Sequence, residues 1–109
     1  MDFKTILETL PTIDHLTGLS VLNGETQIHH IPAIAGKLGS LRVYNALAQE
    51  FNGKLDRTCA EKGLQLFAEH TQDAKQFPGK HPNIDLLFTV IEQGKEYRLV
   101  AEENKRQAL

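Results

Sequence analysis

Apolar and polar positions along the chain change period several times, and each change marks an expected element. Phe3, Ile6, Leu7 and Leu10 recur at three- and four-residue spacing behind Asp2, a carboxylate suited to a helix N-cap, and Pro11 ends the run. A first helix is therefore expected over residues 2–10, followed by a connector at 12–15. Two short stretches rich in β-branched residues then flank Asn23-Gly24, the dipeptide that most readily takes the positive φ angles of a tight hairpin turn. This predicts antiparallel strands at residues 18–22 and 25–31, closed by Pro32. Residues 33–39 read as loop, after which Ser40 is placed to cap a helix that buries Leu41, Val43, Tyr44, Leu47, Ala48 and Phe51 and stops at Gly53.

The longest helical pattern follows. Asp56 is its expected N-cap, Ala60, Leu64, Phe67, Thr71 and Ala74 form one continuous stripe at 3.6 residues per turn, and Pro78-Gly79 is its stop. The loop at residues 78–83, Pro-Gly-Lys-His-Pro-Asn, is stiffened by two prolines and offers Lys80 and His81 outward. Ile84, Leu87, Phe88 and Ile91 suit a helix capped by Asn83 and ended by Gly94, although Phe-Thr-Val-Ile also has strand propensity. The agreement of cap and stop favours helix. Residues 97–101 alternate as a strand able to join the hairpin, and a charged tail expected to fray begins at about residue 103. The sum is a single α+β domain over residues 1–109, with a small, mainly antiparallel sheet packed against three to four helices.

Composition narrows the function. Twelve Lys and Arg against fourteen Asp and Glu give a net charge of −2, with no basic run and no Trp, so neither phosphate-backbone binding nor base stacking is supported. Nucleic acid is not an expected partner. One cysteine supports no internal disulfide, the start of the chain lacks a secretory pattern, and no apolar run is long enough to span a bilayer. A cytoplasmic protein with no membrane partner is expected.

Candidate chemistry concentrates in two places. Glu69, His70 and His81 are candidate acid–base residues, with Asp73 one turn on as a group that could orient an imidazole. Lys37 and Ser40, in Gly36-Lys37-Leu38-Gly39-Ser40, together with Lys80 and Asn83, are candidate ligand-binding residues, because a glycine-flanked helix start with a lysine suits an anion. The segment lacks the full phosphate-loop spacing. No metal or other cofactor is expected: none of the known ligand spacings occurs among His15, His29, His30, His70, His81 and Cys59. His29 and His30, adjacent in a strand, should point to opposite faces. Cys59 and His70 lie roughly 16 Å apart along one helix, at 1.5 Å per residue, so a direct pair between them is excluded on that reading.

Four segments, Leu10-Pro11-Thr12-Ile13-Asp14-His15-Leu16, Gly39-Ser40-Leu41 before Tyr44, Gly63-Leu64-Gln65-Leu66-Phe67-Ala68-Glu69-His70-Thr71 and Pro78-Gly79-Lys80-His81-Pro82-Asn83-Ile84-Asp85, together resemble a family of small bacterial proteins known only as a domain of unknown function. The resemblance implies a bacterial, cytoplasmic, single-domain protein and brings no activity or catalytic residue with it. Two functions stay open. One is a non-enzymatic binding or interaction module, with a homodimer among its expected states and an unidentified protein or small molecule as partner. The other is a small histidine-dependent enzyme or metal-binding protein acting on an anionic ligand.

Overall fold

A computed structural model describes residues 1–104. It is an α+β fold in which helices cover one face of a four-stranded antiparallel sheet. Helix α1 (Phe3–Glu8) is capped by Asp2, whose Oδ1 accepts from the Thr5 amide at 2.9 Å. Strands β1 (Leu16–Asn23) and β2 (Thr26–Pro32) form the hairpin, the first longer than the sequence implies and the second shifted one residue along the chain. Its turn lies one residue later than Asn23-Gly24 suggests: Gly24 and Glu25 are central, and Gly24 supplies the positive φ of 63°. The register of β1 against β2 shifts after Val21, a bulge that leaves Ile28 with no residue opposite it in β1 and exposed.

Helix α2 (Leu38–Glu50) crosses the sheet and touches all four strands. It begins two residues before Ser40, so Ser40 is not its cap. Lys37 holds the N-cap position and contributes no side-chain bond. The chain then turns through Asn52 and Gly53, both at positive φ, into β3 (Lys54–Leu55), a two-residue strand that sequence reading missed because it is too short to alternate. The last strand, β4 (Tyr97–Glu103), inserts between β1 and β3 to give the order β2-β1-β4-β3. It carries Glu102 and Glu103 in the sheet, so residue 103 is not part of a frayed tail; residues 105–109 of that expected tail lie outside the described residues.

The main departure is the long helix. It breaks into α3 (Arg57–Leu66), capped by Asp56, and α4 (Glu69–Gln76). Between them Ala68 takes φ 51° and ψ −122°, and the His70 amide bonds back to the Phe67 carbonyl at 3.0 Å. Those values are the signature of a type II′ turn with alanine where glycine normally stands. Thr71 Oγ1 donates to the Leu64 carbonyl at 2.6 Å, a span of seven residues out of reach in a straight helix, and so satisfies an acceptor that the break frees. Phe67 and Ala74 are both buried on either side of the turn, which is why their periodicity looked continuous.

Helix α5 (Pro82–Gln93) confirms the helical reading of this stretch, with Gly94 closing it at φ 61°. Its N-cap is His81 and its first residue Pro82, so Asn83 sits inside the helix rather than capping it. Helices α3 and α5 pack closely because Gly63 has no side chain: a Cβ there would lie 2.8 Å from a Leu87 methyl and 3.0 Å from one of Leu47. The core lies between helices and sheet, built on Leu19, Val21, Ile31, Leu55 and Leu99 from the strands and on Leu41, Tyr44, Leu47, Ile84 and Leu87 opposite them. Among the described residues no helix is long and apolar enough to cross a membrane.

Candidate functional site

The break after α3 and the Pro-Gly loop before α5 turn the chain twice toward the amino end of α2. The result is a cleft of about 420 Å³ bounded by Phe3, residues 36–40, Phe67, His70 and residues 80–84. Lys37, Ser40, His70, Lys80, His81 and Asn83, which the sequence offered from three separate segments, all line it. Glu69 does not line it. Its Oε1 accepts from the Phe3 amide at 2.9 Å, so it fastens the first turn of α1 to α4 and holds Phe3 over the cleft.

Three of the lining groups are uncommitted. Lys37, Ser40 and His70 make no side-chain hydrogen bond or ion pair to the described residues. The first-turn amides of α2 have no intrahelical acceptor, and no side chain caps them. These side chains and the positive end of the helix dipole thus border the same cleft. His70 is set there by the type II′ turn, with the Phe3 ring edge-on at 4.8 Å.

The other polar lining groups, Lys80, His81 and Asn83, are engaged. Asp73 Oδ2 accepts from His81 Nε2 at 2.6 Å and from Lys80 Nζ at 2.9 Å. The hydrogen bond from His81, then that from Lys80, holds the Asp73 carboxyl below the usual aspartate range. An ionised carboxylate only accepts, so His81 carries its proton on Nε2 and keeps Nδ1 as its second ring nitrogen. The His81 ring lies 5.7 Å from that of His70. Helical spacing makes Asp73 an orienting group for His70; the structure pairs it with His81 instead, because the loop at residues 78–81 folds back over α4.

Asn83 is anchored from two sides. Its Oδ1 accepts from His29 Nε2 at 2.6 Å, and its carbonyl accepts from the buried Tyr44 hydroxyl at 2.5 Å. Burial pushes the Tyr44 phenol well up and keeps it a donor. Nothing in the sequence ties His29 or Tyr44 to Asn83, since one sits on a strand and the other in a helix, each far from Asn83 in the chain. Phe3 was likewise legible only as a core residue. His30 points to the other sheet face, as alternation requires, and binds Glu102.

Cys59 is fully buried in the core, away from the cleft, with its thiol pushed up to about 12 by burial first and by Asp56 and Glu50 next. Among the described residues no three His, Cys, Asp or Glu side chains are grouped to hold a metal ion.

No curated protein and no solved structure matches the chain. A family model does match, over residues 3–101 and thus over every element that lines the cleft, and it shows that the chain belongs to DUF2322, a family described as an uncharacterized protein conserved in bacteria.

Proposed function

We propose that the cleft binds a small ligand through a phosphate or carboxylate group. The observation that carries this reading is the convergence of Lys37, Ser40 and His70, none of them engaged elsewhere among the described residues, at the uncapped start of α2. Donors without partners at a helix amino end favour an anion over water or a neutral group. A reducing cytoplasmic setting belongs to the same reading and suits a chain with one unpaired cysteine.

Isothermal titration at low ionic strength with inorganic phosphate and with acetate tests it. Saturable binding that weakens about tenfold in Lys37→Ala and falls with added salt is the expected result. Absence of saturable binding at millimolar concentrations of either anion would overturn it.

The Asp73–His81 pair favours a second reading, acid–base chemistry on the bound ligand, with His81 as base and His70 as proton donor. Under it, hydrolysis of a phosphate ester would fall with both Asp73→Asn and His81→Gln while anion binding persists. Turnover indifferent to both substitutions would dismiss it.

A further inference from the structure

Resting on the anion-binding reading, we infer that the ligand is a ring-bearing monoanionic or dianionic compound, such as an aryl phosphate, rather than a bare inorganic anion. A tetrahedral anion fills the space of only a few water molecules, each about 30 Å³, whereas the cleft measures about 420 Å³. That volume lies in the range of pockets that enclose a compact organic molecule, about 300–1,000 Å³. The space not needed by the anion is bounded by apolar surface from Phe3 and Leu38, with the buried Phe67 and Ile84 behind them.

This apolar wall is built close against the anion donors. Gly39, in the first turn of α2, leaves room for the Phe3 ring: a Cβ at Gly39 would lie 3.1 Å from Phe3 Cε2 and 3.2 Å from Cζ. Phe3 in turn stacks on Phe67 at 5.7 Å and stands edge-on to His70 at 4.8 Å. Leu38 is left 46% exposed at the lip, a large apolar side chain beside Lys37 with water as its present neighbour. Charged groups and apolar side chains side by side match a compact molecule that carries an anionic group on a flat apolar body. An aromatic ring suits the wall better than a flexible chain, since ring faces and edges pair favourably and lose little rotamer freedom on binding.

The test compares methyl phosphate with phenyl phosphate on the intact chain at pH 7.5, where both carry nearly the same charge, by titration calorimetry with amide and ring NMR shifts to locate the site. Phenyl phosphate binding at least about fivefold tighter, with shifts centred on Phe3, Leu38 and His70, is expected, because partial burial of a ring is enough for such a factor. The preference should shrink to within about twofold in Phe3→Ala; should that variant fold poorly, Leu38→Ser on the lip provides the same readout of a reduced ratio. Equal affinity for the two esters, or a phenyl-dependent shift elsewhere, overturns the inference while leaving the anion reading standing. Failure of both esters to bind sinks the anion reading itself, and the inference with it.

Discussion

Replacing Ala68 by glycine should stabilise the protein, against the usual effect of introducing glycine. Ala68 holds φ 51° and ψ −122° at the first central position of the turn between α3 and α4. A side chain at such angles costs about 1–3 kcal/mol, which glycine relieves. Against this, glycine adds about 0.4–1 kcal/mol of unfolded-state entropy to be lost on folding. It also ranks above alanine at a helix N-cap, the position that residue 68 occupies for α4. The balance is a gain of roughly 1 kcal/mol, equivalent to about 4–8 °C in the unfolding midpoint of a domain near this size. Urea denaturation followed by far-UV circular dichroism, together with a thermal scan, measures it directly. An unchanged m-value with a higher midpoint is expected. A lower midpoint would mean that Ala68 is not strained and that the turn is held by its methyl group, which refutes the reasoning.

Removing the Tyr44 hydroxyl in Tyr44→Phe takes away the buried bond to the Asn83 carbonyl and should cost about 1–2 kcal/mol in urea denaturation; no loss would show that this carbonyl is served by its helix alone. Glu102 is held below its ordinary value of 4.5 by hydrogen bonds from His30 first and Ser20 next. Its folded form therefore binds fewer protons than its unfolded form, so its contribution is present above about pH 4.5 and is lost as pH falls through the depressed value. Glu102→Gln should make the acid limb of the stability profile shallower, and an unaltered limb would contradict the assignment. Cys59 should resist a thiol reagent at pH 8 in the native state and react fully once the chain is denatured; rapid labelling of folded protein would contradict its burial.

How much of this was legible in the sequence depends on what each signal reports. Local signals were reliable: Asp2 and Asp56 cap their helices, Gly94 ends the last one, and alternation sends His29 and His30 to opposite faces. The break at Ala68 was not visible, because apolar spacing continued through it and alanine is the best helix former. That break decides the site, since it turns His70 toward α2. Ser40 and Asn83 looked like caps by residue type alone, yet both stand inside helices and line the cleft. The convergence of residues 36–40, 67–70 and 80–84 is tertiary, and no local pattern encodes it. Asp73 belonged to the correct chemistry but to the other histidine, because a folded-back loop rather than helical spacing sets its partner.

The sheet's two borders bear on how the protein behaves at high concentration. One is β2, kinked by its bulge and finished by Pro32; the other is β3, only two residues long. A neighbouring chain seeking to extend the sheet would meet a bent edge without a donor at its end on one side, and almost no edge at all on the other. Mutations that straighten the hairpin, by deleting Ile28 for example, should therefore show themselves first as aggregation, even where the folded molecule loses little stability.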